Sequence, residues 1–234
     1  LSTLNGNNGF RLDGVAAHDF SGRSVSNAGD VNGDGFDDLI VGAYGANPNG
    51  DSSGSSYVVF GKASGFSATM QLSSLDGSNG FRLDGLAERD QSGVSVSGAG
   101  GVNGDGLSDV IIGIQGENTS YVVFGKASGF SAIMELFSLD GSNGFRLDGV
   151  SGSLGGSVSN AGDVNGDGYD DLIVGAHDAY PNGSSSGSSY VVFGKASGFS
   201  AILDLSRLDG SKGFRLDGNA TNDFSGASVS NAGD

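Results

Sequence analysis

Apolar residues in this chain fall in short runs between glycine-rich polar stretches. Leu39-Ile40-Val41 is followed by Tyr57-Val58-Val59-Phe60, then by Phe81 and Leu83 alternating with Arg82 and Asp84, and the order repeats downstream. Continuous runs of β-branched and aromatic residues suit strands buried on both faces, and alternation suits a strand with one face in water. No run of ten residues or more carries a helical period. The pattern predicts four strands per unit. Strand A lies at 23–28, with copies at 94–99, 157–161 and 227–232. Strand B lies at 38–43, 109–114 and 171–176, and strand C at 56–61, 120–125 and 189–194. Strand D lies at 80–84, with copies at 9–13, 144–148 and 213–217, and its alternation marks it as a half-exposed outer strand.

The string FRLDG starts at Phe10, Phe81, Phe145 and Phe214, and YVVFGKASGFSA starts at Tyr57, Tyr121 and Tyr190. Four antiparallel strands repeated in this way form the blade of a β-propeller. The expected fold is therefore all-β: a propeller, or a propeller segment, with about three full blades and flanking strands. Residues 1–234 form one region. Residues 1–19 supply the outer strand of a preceding blade, 20–86 blade 1, 87–150 blade 2, 151–218 blade 3, and 219–234 the first strand of a next blade. Both ends fall inside a repeat, and the chain begins at Leu1 without a Met. The expectation is a segment of a longer array, with self-association through the open propeller ends as the other route to closure.

The length differences between copies are localised. Between strands B and C, seven residues present in the first and third units are missing from the second. The link from D to A is two residues shorter before Ser157 than before Ser95. The A–B loop and the C–D link keep their lengths. In an antiparallel sheet these two turns share one rim, and the variable B–C and D–A segments share the other. Variable loops gathered on one face suit partner binding.

The A–B loop is Asp30-Val31-Asn32-Gly33-Asp34-Gly35-Phe36-Asp37-Asp38. It returns at 163–171, returns with glycine first at 101–109, and begins again at Asp234. Oxygen-bearing side chains at positions 1, 3, 5 and 9, with glycine at 6, are what a hard cation such as Ca²⁺ needs from a tight loop. Position 12 is Val41, inside an apolar run, so the bidentate glutamate and flanking helices of an EF-hand are absent.

Composition narrows the partners. The formal charge is −16, with only 11 Lys and Arg, so there is no basic footprint for nucleic acid. No apolar stretch approaches the roughly 20 residues of a membrane span. There is no cysteine, so neither a disulfide framework nor thiolate chemistry is present. The two histidines, His18 and His177, belong to no repeated constellation, and the glycine patterns lack the strand-to-helix setting of a phosphate loop. An enzyme is not expected.

The run from Ser21 to Ala43, with its AGD, its DVNGDG loop and its DLIVGA strand, resembles the FG-GAP repeat. That repeat is the blade of the integrin α-subunit propeller and of many bacterial surface proteins. The resemblance implies calcium ligands Asp30, Asn32, Asp34 and Asp38 with the Phe36 carbonyl in the first loop. In the third it implies Asp163, Asn165, Asp167 and Asp171 with the Tyr169 carbonyl. In the second, Gly101 leaves Asn103, Asp105 and Asp109 with the Leu107 carbonyl, one carboxylate fewer and so a weaker site. The expectation is two strong Ca²⁺ sites and one weaker, with no intact site at Asp234. It further implies a non-enzymatic adhesion or interaction module, extracellular or at the cell surface. On the variable rim, Tyr44, Asn47, Asn49 and Asp51, Gln115, Glu117 and Asn118, and His177, Asp178, Tyr180 and Asn182 are candidates for contact with a protein or carbohydrate ligand. The alternatives are a lectin-like propeller and a non-catalytic domain of a larger secreted enzyme.

Overall fold

The computed structural model describes residues 3–63, 65–149 and 152–233. Its strands follow the predicted order. In the first unit β2 (Val25–Gly29), β3 (Asp38–Ala43), β4 (Ser55–Val59) and β6 (Gly80–Asp84) pair antiparallel in sequence. The second unit repeats this with β7 (Ser95–Gly100), β8 (Asp109–Ile114), β9 (Thr119–Val123) and β11 (Gly144–Asp148). The third has β12 (Ser157–Gly162), β13 (Asp171–Ala176), β14 (Ser188–Val192) and β16 (Gly213–Asp217). These three sheets are propeller blades.

Cores lie between blades rather than inside them. Ile40, Val58 and Phe81 of blade 1 face Val96, Val110 and Ile112 of blade 2. Ile111, Val122 and Phe145, from the other face of blade 2, meet Val158, Leu172 and Val174 of blade 3. Neighbouring residues along a strand point to opposite faces, so Ile111 and Ile112 serve different interfaces. A strand covered on both sides must be apolar throughout, which accounts for the continuous runs in B and C. Where the described chain leaves a face uncovered, the same positions are exposed. Leu216 of β16 is 50% exposed, whereas its equivalents Leu83 and Leu147 are fully buried.

Two glycines per unit answer to geometry. At Gly29, Gly100 and Gly162 the A strand bulges and the backbone takes a φ near +70°, a region where side chains are strained. At Gly42, Gly113 and Gly175 a carbonyl of the next blade presses on the strand. A Cβ there would lie 2.1, 1.9 and 2.0 Å from the carbonyl oxygens of Gly93, Gly155 and Gly226.

The structure corrects three expectations. The C–D link is not a plain turn. It holds a short strand, β5 (Thr69–Gln71), β10 (Ile133–Glu135) or β15 (Ile202–Asp204), and each is followed by a 3-10 turn. Each of these strands pairs parallel with strand D of the preceding blade. β5 joins β1 (Arg11–Asp13), β10 joins β6, and β15 joins β11. Strand D is therefore not the outermost strand of its sheet in blades 1 and 2, and its polar face is less exposed than expected: Asp84 is buried, and Arg82, Arg146 and Asp148 are half-buried. Thirdly, residues 227–232 form no strand. The A strands elsewhere pair with a following B strand, and no such partner lies among the described residues. This segment still lies against β12, where Val229 N–H donates to Ser157 Oγ (3.0 Å). The same bond joins Val96 to Ser24 and Val158 to Ser95.

The invariant length of the C–D link now has a cause. Phe130 stacks on Phe81 of the preceding blade (4.6 Å), and Lys126 Nζ sits over the Phe130 ring (4.7 Å). Phe199 on Phe145 with Lys195, and Phe66 on Phe10 with Lys62, repeat the arrangement. An inserted residue would pull the ring off its partner. Phe130→Ala should therefore lower unfolding free energy by about 2–3 kcal/mol, as expected for a partly buried stacked ring. Phe137→Ala, at a 67% exposed position, should change it by less than about 0.5 kcal/mol. Urea denaturation of the two variants checks the difference.

Candidate metal loops and the opposite rim

The three acidic loops share one internal geometry. The loop's last aspartate is fully buried, where a carboxylate is costly unless it is hydrogen-bonded. Asp38 Oδ2 accepts from Val31 N–H (2.9 Å) and Oδ1 accepts from Gly61 N–H (2.8 Å). Asp109 holds Val102 and Gly125, and Asp171 holds Val164 and Gly194, at 2.9 Å each. The residue thus ties the loop's second residue to the end of strand C. Burial raises its carboxyl pKa, to about 6 for Asp38 and about 7 for Asp109, and upwards for Asp171. The hydrogen bonds oppose that shift, while the charges of Asp34 and Asp30 add to it at Asp38.

The exposed members of the loop are turned onto its own backbone. Asp30 accepts from the N–H groups of Gly33, Asp34 and Gly35 at 2.7, 3.1 and 2.9 Å. Asn32 accepts from Asp34 N–H, and Asp34 accepts from Phe36 N–H, both at 2.9 Å. Asp163, Asn165 and Asp167 repeat this, and Asp167 accepts from Tyr169 N–H. In the second loop Asn103 and Asp105 keep their bonds, Asp105 accepting from Leu107 N–H. Gly101 offers no acceptor there, and its own N–H donates to Asp170 Oδ2 of the next blade (2.8 Å).

Among the described residues, no three carboxylate, imidazole or thiolate groups converge as a metal-ligand cluster. The donor chemistry still fits a hard cation. Each full loop concentrates three carboxylates, an amide oxygen and a backbone carbonyl, and neighbouring carboxylate charge adds to the upward shift that burial gives Asp38 and Asp171. A carboxylate has about four acceptor sites, so Asp30 and Asp163, with two N–H groups on Oδ1 and one on Oδ2, keep capacity for a cation. Asp234 lies outside the described residues.

On the opposite rim the B–C loop and the D–A link of one blade are bonded together. Arg89, Gln91 and Ser92 donate backbone N–H groups to the carbonyls of Asp51, Ser52 and Ser53. In blade 3, Asn222, Phe224 and Ser225 do the same to Ser184, Ser185 and Ser186. In blade 2 the seven-residue deletion in the loop and the two-residue deletion in the link therefore fall on segments that face each other.

The candidates on this rim divide into two groups. Asn49 Nδ2 donates to Gly85 O (2.7 Å) and to Glu135 Oε2 (3.1 Å), Asn182 Nδ2 donates to Gly218 O (2.9 Å), and Asn47 Oδ1 accepts from Ser52 N–H (2.6 Å). These amides hold the loops in shape. Tyr44 stacks on Phe20 (5.1 Å) under Arg23, and Asn118 Oδ1 accepts from Ser153 N–H (2.8 Å). His177 lies 3.4 Å from Asp178, which also accepts from Ser153 Oγ. Asp51, Gln115, Glu117 and Tyr180 are exposed. The sequence reading missed the cluster that lies between these loops. Arg82–Asp84, Arg146–Asp148 and Arg215–Asp217 pair two residues apart on strand D. Each arginine lies across from a strand-C tyrosine: Tyr57, Tyr121 or Tyr190. The signal was in the FRLDG string, whose Arg and Asp share one face by the period of two.

The FG-GAP repeat model matches residues 21–59 and 154–192. The chain carries FG-GAP repeats. The two matched ranges hold the loops that begin with Asp30 and Asp163, and the second unit, with Gly101 and its short B–C loop, lies outside both. Among curated proteins the chain is similar to integrin alpha-4 of Xenopus laevis, at 32% identity over 121 residues. That match covers 49% of this chain and 11% of the relative, so the matched region spans about a tenth of the length of that protein. No helix among the described residues is long and apolar enough to cross a membrane.

The buried aspartate can be tested without metal. Asp109→Ala strands two buried N–H groups and should cost about 2–4 kcal/mol. In EDTA, the native chain holds the Asp109 proton between the unfolded carboxylate pKa of about 3.8 and the folded value of about 7, and the unfolded chain does not. That group's contribution to stability therefore falls as pH rises through this window. Denaturation in EDTA from pH 8 down to pH 5 should show a stability gain in the parent that is smaller in Asp109→Asn.

Proposed function

We propose that the chain is a non-catalytic, extracellular interaction module whose A–B loops bind structural Ca²⁺ and whose opposite rim contacts partners. The observation that carries this reading is the division between the two rims. One repeats the same acidic loop at constant length, clamped by a buried aspartate. The other carries every length change, in loops and links whose variable stretches are bonded to each other. The integrin similarity supports an extracellular or cell-surface setting, and the all-oxygen donor sets support calcium.

Asp30, Asn32, Asp34, Asp38 and the Phe36 carbonyl would hold the first ion, and the equivalents from Asp163 to Asp171 the third. The cation would neutralise the mutual repulsion of three carboxylates and fix the A–B turn in the folded state. A site saturated a hundredfold above its Kd adds about 2.7 kcal/mol of stability. Titration calorimetry should find two tighter sites and one weaker, and EDTA should lower the melting temperature. Asp30→Ala and Asp163→Ala should each remove one tight site. An unchanged melting temperature in EDTA would sink the calcium reading.

The second loop offers a gain-of-function test. Gly101 has ordinary backbone φ, and a Cβ there would meet nothing nearer than 3.6 Å. Asp170 lies beside it, so the substitution is best paired with Asp170→Ser, matching Ser108 at the equivalent position of blade 2. The double variant G101D/D170S should bind Ca²⁺ at this loop about tenfold or more tighter than the parent, read by calorimetry.

A further inference from the structure

Beside the shortened B–C loop of blade 2 lies a cavity of about 380 Å³ on the variable rim, and the equivalent space of blade 3, lined by Ser188, Tyr190, Arg215 and Asp217, measures about 360 Å³. In blades 1 and 3 the loop carries an asparagine, Asn49 or Asn182, whose amide donates to the carbonyl of Gly85 or Gly218. The second unit has no counterpart, and the equivalent Gly149 lines the cavity instead. A second difference lies beside it. Ser55 and Ser188 donate their hydroxyls to Asp84 and Asp217 (2.8 Å each). The equivalent Thr119 lines the cavity, is only 8% exposed, and its buried hydroxyl has no hydrogen-bond partner. That oxygen has almost no accessible surface and offers the cavity nothing, but Asp148 receives no hydroxyl like those on Asp84 and Asp217 and so keeps acceptor capacity beyond its two bonds from Arg146.

The rest of the lining fixes the ligand chemistry. Arg146 and Asp148 form a two-pronged pair (2.5 and 2.7 Å) that presents a donor and an acceptor side by side. Asp90 and Glu117 add carboxylates, so the lining carries more negative than positive charge and repels anions. Leu86 and Ile114 supply an apolar wall. Neighbouring donor and acceptor groups beside an apolar wall match a ring with adjacent hydroxyls on its edges and C–H groups on its face. The volume lies within the usual range for small-ligand sites, about 300–1,000 Å³.

We propose that this cavity binds a single neutral sugar residue, with Arg146 and Asp148 engaging adjacent hydroxyls and Glu117 closing the open side. The assignment rests on the reading of the variable rim as the binding rim, and adds the ligand class and the blade. A panel of methyl glycosides (glucose, galactose, mannose, N-acetylglucosamine) tests it by saturation-transfer NMR on the whole chain, with backbone shift mapping. At least one should bind at millimolar concentration and shift residues 114–121 and 146–149. Arg146→Met should weaken it tenfold or more, and Glu117→Gln several-fold. Replacing residues 115–118 by residues 44–54 removes Glu117 and brings in the Asn49 amide that pins the long loop over the Gly85 carbonyl in blade 1, and should weaken binding at least as much as Glu117→Gln, with thermal melts confirming that each variant is folded. No transfer from any glycoside, or equal binding by the loop-replaced chain, overturns the pocket and leaves the rim reading standing. Preference for methylguanidinium over every glycoside overturns the ligand class. Shifts confined to residues 30–38 and 163–171 overturn both the pocket and the rim reading.

Discussion

A carboxylate buried among apolar strands has to be hydrogen-bonded, and this constraint organises each blade. Asp38, Asp109 and Asp171 each bridge an amide of the A–B loop and an amide at the end of strand C. Those two amides belong to segments that would otherwise be joined only through strand B. The bridge sets where the loop closes, and hence where Asp30 and Asp163 can reach the loop's other amides. It also brings the loop against the next blade: Lys126 N–H donates to Val31 O, and Lys195 N–H to Val102 O. One residue type at one position thus links hairpin, sheet edge and inter-blade contact.

The blade is not a self-sufficient unit. Its apolar residues are divided between two interfaces, and its outer strand is completed by the following repeat. Each interface is made by the same set of contacts: a serine hydroxyl accepting from the next A strand, a bare glycine under a carbonyl, and a phenylalanine stacked across. Stability in such an array grows with the number of neighbours, because each junction buries faces that a lone blade would expose. The acidic rim is tied into these junctions and so cannot change length. On the other rim the end of the D–A link is fixed by that glycine contact, but the rest of the link is tied to the B–C loop and can lose residues in matched places. A repeat can therefore change the lining of its rim pocket without disturbing the stack, as blade 2 does beside Arg146 and Asp148.

Much of this was legible in the residues. The runs at 39–41 and 57–60 announced strands covered on both faces, because strands in a stack have no polar side to show. The lengths between repeated strings separated the two rims, because a turn joins the same pair of strands in every unit. The acidic loops were legible as oxygen-rich turns of fixed spacing. The fifth strand was not. Residues 69–71, 133–135 and 202–204 are too short to show a period, and their partner is strand D of another blade, a pairing that no local pattern encodes. The FRLDG alternation likewise suggested an exposed face: Arg82 and Asp84 are polar, but they pair with each other, and Asp84 is buried where it accepts from Ser55 Oγ.

The sequence by itself determined the repeat, the strand order, the class of fold and the residue types in each acidic loop, all properties of neighbouring residues or of spacing. Only the tertiary structure decided what each loop residue touches. It set Asp109 against two amides, turned Asn49 and Asn182 into pins for their loops, and placed Arg146 and Asp148 beside an unfilled space. Those outcomes depend on residues from different strands and different repeats meeting in space, and burial alone converts their meeting into a pKa shift, a hydrogen bond or a cavity.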